Sequence, residues 1–210
     1  MIKLLVVDDH PVVRQGIRQI LAEASDIVVG DDAVNGAEAL TKGRDLSWSA
    51  VLLDLSLAGT DGLEILKQLR LERPDLPILV LSMHPEDQFA LRAIRAGASG
   101  YLTKDSAPQE LVNAIRRVVG GSPYLSPWLA ARLAREVATN TPKPAHEQLS
   151  DREYQVMLRI ASGRSTKQIA DELCLSPKTV GTYRLRLAKK MSLSTDAELT
   201  AYVFRNRLLD

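Results

Sequence analysis

Five short apolar runs, each followed by a segment of roughly ten residues with helical periodicity, constrain this chain more than any other feature. The runs are 2–7 (Ile2-Lys3-Leu4-Leu5-Val6-Val7), 27–30, 50–53, 78–81 and 99–102, and the helical segments lie near 11–23, 35–44, 61–71, 86–96 and 107–119. Runs this short and this apolar suit strands buried on both faces. Strand and helix alternating five times predicts an α/β fold, a parallel sheet covered by helices on both sides. In such sheets function collects at the carboxyl ends of the strands.

The pattern changes after residue 120. Gly120-Gly121-Ser122-Pro123 ends the last helix, and Ser126-Pro127 can start a short one over 128–138. Thr139-Asn140-Thr141-Pro142-Lys143-Pro144 reads as an extended linker. From Leu149 onward the pattern is all-α, with helices near 151–162, 166–173, 177–191 and 196–208. Ser150 with Glu153 is a capping box, Ser165 with Gln168 repeats it, and Ser194 does so less completely. Ser176-Pro177 sets a cap before a proline at the first helical position. The expected domains are 1–120, a linker with a short helix over 121–148, and a helical domain over 149–210.

Charge divides the same way. Residues 1–121 carry 13 Lys+Arg against 17 Asp+Glu, a net of −4, and residues 122–210 carry 14 against 9, a net of +5. A basic second half suits a polyanionic partner. The single cysteine, Cys174, excludes an intrachain disulfide and reads as a small buried hydrophobe in a turn, not a sensor. No apolar run approaches the roughly 18 residues of a membrane span, and the first residues are too short for a signal peptide. The expectation is a soluble cytoplasmic protein with no membrane partner.

Residues with chemistry stand at the ends of the strands. The first ends in Asp8-Asp9, the third runs into Asp54, the fourth ends in Ser82, and Lys104 follows the fifth. Each alone is ordinarily a turn or helix cap; together they make an edge. Three carboxylates at close range repel and call for a cation, and an oxygen-only set suits Mg²⁺. A phosphoryl group on one carboxylate would meet the metal, the Ser82 hydroxyl and the Lys104 ammonium, which is what phosphoryl transfer needs. His10 and His84 flank this edge, but without a third soft ligand they are not read as metal ligands.

Here the sequence resembles a known family. Leu5-Val6-Val7-Asp8-Asp9-His10, Leu52-Leu53-Asp54-Leu55-Ser56, Asp61-Gly62-Leu63-Glu64, Leu81-Ser82-Met83-His84 and Gly97-Ala98-Ser99-Gly100-Tyr101-Leu102-Thr103-Lys104-Asp105 are similar to the receiver domains of two-component response regulators. The resemblance implies a flavodoxin-like (βα)5 fold with Asp54 as phosphoacceptor. It implies that Asp9, Asp54 and the Ser56 carbonyl bind Mg²⁺ directly and Asp8 through water. Ser82 and Tyr101 would form a switch pair, and Lys104 would hold the phosphate. Two departures stand out: Ala58 replaces a frequent proline, loosening that loop, and Asp105 replaces a proline after the lysine. Without proline a cis bond costs about 3–4 kcal/mol, so a trans peptide is expected there.

Residues 177–191 carry five basic residues and no acid. Wound as a helix, Val180, Leu187 and Met191 fall on one stripe with Tyr183 and Arg184 at its edges, while Lys178, Thr182, Leu185, Arg186 and Lys189 lie opposite. A solvated surface helix would look similar, but the preceding helix, separated by a turn of about three residues, gives helix-turn-helix spacing. Leu149-Ser150-Asp151-Arg152-Glu153, Ile160 through Ala170 and Leu175-Ser176-Pro177-Lys178-Thr179-Val180 resemble the four-helix LuxR-type DNA-binding domain. A receiver joined to it resembles the NarL/FixJ subfamily. The implied DNA contacts are Lys178, Thr179, Thr182, Tyr183, Leu185, Arg186 and Lys189, with Thr166 and Lys167 of the preceding helix. Gly181, Thr182 and Leu185 stand where base contacts are expected, and none makes a bidentate bond to a base.

The expected function is a DNA-binding transcription regulator activated when a sensor histidine kinase phosphorylates Asp54, with homodimers forming on phosphorylation. Leu199 and Val203 are expected in the helical core, and Phe204, Ala201 and Leu208 at a second dimer contact. Phosphorylation is expected to draw Ser82 toward the phosphoryl group and let Tyr101 turn inward. A rival reading is a phosphatase, whose pattern needs a second acid two residues after the nucleophile. Ser56 stands there instead, so no turnover of an external substrate is expected. A protein-interaction module that has lost DNA binding is a third reading, opposed by the acid-free basic helix.

Overall fold

The computed structural model describes residues 1–57, 61–83, 85–138 and 144–209. Ala58, His84 and residues 139–143 of the expected linker lie outside the described residues. The chain divides into two compact units, 1–138 and 139–210.

In the first unit the strands are β1 (Ile2–Val7), β2 (Ile27–Ala33), β3 (Ala50–Leu53), β4 (Ile78–Ser82) and β5 (Gly100–Thr103). The helices between and after them are α1 (Pro11–Ala22), α2 (Gly36–Gly43), α3 (Gly62–Glu72), α4 (Glu86–Arg95) and α5 (Pro108–Val119). All strands are parallel, in the order β2-β1-β3-β4-β5. Leu4, Val6, Leu52, Leu79, Leu81 and Leu102 form one core with Ile17 and Leu21 of α1 and Leu111 and Ile115 of α5. The alternate residues Leu5, Val7, Val51, Leu53, Ile78 and Val80 are equally buried, so both faces of the sheet are covered. This is why the strands read as continuous apolar runs and not as alternating ones.

Helix starts follow local chemistry. Pro11 and Pro108 occupy first-turn positions of α1 and α5, while Asn35 and Asp61 cap α2 and α3 through their side chains. Gly62 lies against the backbone that follows Asp54. A Cβ there would meet Leu55 Cα at 2.4 Å, so only glycine lets α3 start so close to β3.

Two features extend the expected pattern. Strand β2 runs on to Ala33, its polar residues Asp31 and Asp32 being tolerated because β2 is an edge strand. After α5, the chain returns to the outer edge of β5, where Tyr124 forms a parallel bridge with Gly100. The next helix, α6 (Pro127–Ala138), packs against α4, with Leu129 fully buried.

Among its described residues the second unit holds a single 3-10 turn (Ala145–Gln148) and four helices: α7 (Asp151–Ala161), α8 (Thr166–Glu172), α9 (Pro177–Met191) and α10 (Asp196–Arg205). Tyr154, Met157, Ile169, Val180, Leu187, Leu199 and Val203 are buried in its core. The capping boxes at Ser150 and Ser165 form with both reciprocal bonds. The box before α10 belongs to Thr195 and not to Ser194: Thr195 and Glu198 are three residues apart, and Ser194 adds only its backbone N–H to Glu198. Cys174 is exposed, contrary to the buried residue expected. It sits in left-handed backbone (φ 52) closing α8, which turns its side chain outward and leaves Leu173 to fill the core.

Glu153, in the first turn of α7, is buried, accepts the Ser150 amide at 2.7 Å and pairs with Lys190 of α9 at 2.6 Å. Burial pushes its carboxyl up, but Lys190 and the Ser150 amide outweigh that and hold it below the ordinary glutamate value. A depressed folded-state value stabilises the fold above the unfolded value and is lost as pH falls through the folded one. Because Lys190 is 41% exposed, the pair is worth less than a fully buried one. Glu153→Gln should therefore cost about 1 kcal/mol at neutral pH by urea denaturation. Mutant and wild type should converge as pH falls below 4.5, the ordinary glutamate value.

Candidate functional site

The strand order places the acidic edge. β1 and β3 are neighbours in register, Val7 opposite Leu53, so Asp8 and Asp54 leave the sheet side by side. The Asp54 N–H donates to the Val7 carbonyl at 2.8 Å. Chain order reverses between these two strands, the switch point where a parallel sheet opens a crevice. Ser82 pairs with Thr103 at the ends of β4 and β5, and the Lys104 N–H donates to the Ser82 carbonyl at 2.8 Å. Asp8, Asp54, Ser82 and Lys104 thus meet at one edge, with Asp9 beside Asp8 and Asp54.

Lys104 is the hub. Its ammonium lies 2.7 Å from Asp8 Oδ2 and 2.7 Å from Asp54 Oδ2. The other oxygens accept backbone N–H groups, Asp54 Oδ1 from Ser56 at 3.0 Å and Asp8 Oδ1 from His10 at 2.8 Å. Burial pushes the Asp54 carboxyl above the ordinary range, and the bond from Lys104 only partly offsets it. Burial also pulls the Lys104 ammonium down, but its bonds to Asp54 and Asp8 outweigh this and hold it up. The two shifts differ in origin: burial dominates at Asp54, and the paired carboxylates dominate at Lys104.

Asp8, Asp9, Asp54 and His10 each offer a ligand atom within 4.8 Å of one another. Three carboxylates make this a hard oxygen donor set, which fits a small divalent cation. His10 Nδ1 is 2.8 Å from Asp9 Oδ1 on an otherwise exposed side chain. Tyr101 is buried and faces inward, its hydroxyl bonded to Ser82. Burial pushes the phenol up, keeping it a neutral donor. No cis peptide occurs among the described residues, so the bond into Asp105 is trans as expected.

Sequence reasoning missed Arg14. From the first turns of α1 its guanidinium donates to the Asp8 carbonyl at 2.8 Å and approaches Asp32 at 3.4 Å. A lone arginine on a helix gives no periodic or motif signal, and only the fold brings it to the edge.

In the second unit, α9 presents Lys178, Thr182, Leu185, Arg186 and Lys189 to solvent, while Thr179 and Tyr183 are half-buried. Val180, Leu187 and Met191 are the buried stripe. The Thr182 hydroxyl donates to the Lys178 carbonyl at 3.1 Å, leaving its oxygen only as an acceptor. Thr179 Oγ1 is 2.8 Å from the capping Ser176 hydroxyl, so it helps start the helix. Arg184 pairs with Asp196 and is thereby drawn from the exposed basic face. On α8, Lys167 is exposed and Thr166 half-buried. Leu185 is 76% exposed, an apolar tip among cations.

Comparison with known proteins gives consistent matches over the whole chain. The response regulator receiver domain matches residues 4–116, and the luxR family of bacterial regulatory proteins matches residues 147–203. Response regulator GacA of Pseudomonas protegens is 41% identical over 210 residues, covering 100% of this chain and 99% of the relative. Response regulator UvrY of Escherichia coli K12 is 38% identical over 209 residues, covering 99% and 96%. A crystal structure of a LuxR-family two-component response regulator from Aurantimonas sp. SI85-9A1 aligns with TM-score 0.59 and 37% identity, covering 65% of this chain and 98% of that one.

Burial of the Asp54 carboxyl has a measurable consequence. Asp54, with its carboxyl raised on folding, contributes stability at low pH that is lost as pH rises through the folded value. Asp54→Asn should therefore stabilise the metal-free protein at pH 7, by about 1 kcal/mol in urea denaturation. The advantage should shrink as pH falls, because the wild-type carboxyl takes up its proton more readily than an ordinary aspartate.

Proposed function

The chain belongs to the two-component response regulators of the NarL/FixJ type, a receiver joined to a LuxR-type DNA-binding domain, and we propose that phosphorylation of Asp54 gates its action on DNA. It is a DNA-binding transcription regulator and not an enzyme with an external substrate. The receiver spans 1–120 in this reading and the DNA-binding domain 149–210, and the protein acts in the cytoplasm. No helix among the described residues is long and apolar enough to cross a membrane.

The observation that carries the proposal is the Lys104 ammonium bridging Asp8 and Asp54 at the switch point of the sheet. Asp54 is the nucleophile: a carboxylate oxygen attacks phosphorus as the bond to the donor's nitrogen or oxygen breaks, and the leaving group departs with the bonding electrons. Lys104 then has a new partner in the phosphoryl oxygens. Ser82 donates its hydroxyl proton to another phosphoryl oxygen while accepting from Tyr101, since a hydroxyl offers one donor and two acceptor sites. Inward Tyr101 thus orients Ser82 toward the phosphoryl group. Asp9, Asp54 and the Ser56 carbonyl would hold Mg²⁺, with Asp8 bound through water. The ion supplies neutralisation of charge on the transferring group.

The partner that delivers phosphate is a sensor histidine kinase. A groove of about 310 Å³ beside Lys104, lined by Val13, Gly16, Ile20, Met83, Pro108 and Leu111, offers an apolar seat between α1 and α5. Met83 is 72% exposed at its rim. On the other domain, α9 enters the major groove of duplex DNA, with Lys178, Arg186 and Lys189 on phosphates and Leu185 against a thymine methyl. Thr179 and Tyr183 support it, and Thr166 and Lys167 reach the backbone from α8. With so little base-reading capacity on one α9, selectivity needs two copies, and phosphorylation supplies them as a homodimer. Phe204, 51% exposed on α10, marks the second contact.

Acetyl phosphate with Mg²⁺ should add one phosphoryl group by intact mass and shift sedimentation toward dimer. Undiminished labelling of Asp54→Ala would place the phosphoacceptor elsewhere. For DNA, Arg186→Ala should weaken binding of any duplex and reduce the slope of log affinity against log salt by about one, read by fluorescence anisotropy. A change confined to one sequence would make Arg186 a base reader instead.

A further inference from the structure

Two of the three carboxylates at the acidic edge lie on consecutive residues, so their directions depend on one peptide plane. The Asp8 carbonyl belongs to the plane that carries Asp9, and such a plane is rigid. Its oxygen accepts from the Arg14 guanidinium at 2.8 Å. On the other side the Asp8 N–H donates to the Ala33 carbonyl at 3.1 Å, so Asp8 is gripped between β2 and α1. Arg14 is itself paired, its Nε in an ion pair with Asp32 Oδ2 at 3.4 Å that is not a hydrogen bond, with the side chain 15% exposed. The other Asp32 oxygen takes Arg18 at 2.7 Å, and Arg18 has no bond to Asp8.

We propose that Arg14, held by Asp32, is a positioning residue that fixes the Asp8–Asp9 peptide and thereby the affinity of the acidic edge for its divalent cation. The inference rests on the reading of this edge as a cation and phosphoryl site. Arg14 meets neither the phosphoryl group nor the ion; it orients the backbone from which Asp9 projects. Loss of such an outer partner weakens metal binding by about tenfold or more in known sites. Arg18 provides the internal control. It stands one turn further along the same helix, carries the same charge and pairs with the same acid, yet does not touch the Asp8 peptide.

The test uses the full-length protein, stripped with chelator and without phosphodonor, titrated with Mn²⁺ while free ion is read by electron paramagnetic resonance. Arg14→Ala should raise the Mn²⁺ Kd about tenfold, Arg14→Lys should recover part of the loss through its single donor group, and Arg18→Ala should match wild type. In acetyl phosphate labelling, Arg14→Ala should need more Mg²⁺ for half-saturation while its rate at saturating Mg²⁺ stays within about twofold of wild type. Wild-type Mn²⁺ affinity in Arg14→Ala overturns the proposal, as does equal weakening in Arg18→Ala. If Arg14→Ala does not fold, Asp32→Asn decides: weakened Mn²⁺ binding beyond that of Arg18→Ala supports the proposal, and wild-type binding overturns it. If the wild type itself binds no Mn²⁺ and takes no phosphoryl group, the underlying reading of the edge fails and this inference with it.

Discussion

Two buried carboxylates share a single ammonium, and the first domain is arranged around that imbalance. Asp8 and Asp54 emerge from adjacent central strands, and Lys104 reaches both from the end of β5. Buried charges this close are tolerable only with compensation, and one lysine leaves the edge negative. The site is therefore unfinished in a chemical sense. A divalent cation would supply the positive charge that one ammonium leaves missing. A fold that keeps such a site gives up some stability at its edge, and the apolar layers on both faces of the sheet supply the difference.

The second domain solves a different problem. Its helices are short, between 7 and 15 residues, and short helices are marginal in isolation. Side-chain caps at Ser150, Ser165, Ser176 and Thr195 start each of them, and Glu153 links a cap on α7 to Lys190 on α9. With the buried stripe of α9 fixed in this way, its basic face is left to solvent. That face is rich in phosphate-binding charge and poor in base-reading groups, because Thr182 spends its proton on its own helix and Leu185 offers only an apolar tip. Affinity without much sequence information is the expected behaviour of one such helix.

Much of this was legible in the chain itself. Strand runs are apolar because both faces of a parallel sheet are buried, and helix starts carry capping residues, so element type and order followed from periodicity and local chemistry. The residues at strand ends were legible for the same reason, since a turn from β to α in this architecture lies at the functional edge. Cys174 was misread because the rule that cysteines are buried speaks to residue type and not to backbone. Here the left-handed turn at Cys174 leaves its side chain exposed. Ser194 was taken for a cap where Thr195 serves, as adjacent hydroxyl residues compete and only the helix phase decides between them.

The sequence by itself determined which elements form, that one half is α/β and acidic and the other helical and basic, and that Asp8, Asp9, Asp54, Ser82 and Lys104 stand at strand ends. These are local or periodic properties, written into neighbouring residues. Tertiary structure alone decided that β1 lies beside β3, that one ammonium touches two carboxylates, that Tyr101 rests on Ser82, and that Arg14, paired with Asp32, bonds the Asp8 carbonyl. The physical reason is separation along the chain. Lys104 reaches Asp8 across 96 positions, and no pattern in either segment specifies the other, so that contact exists only once the strands have paired in order.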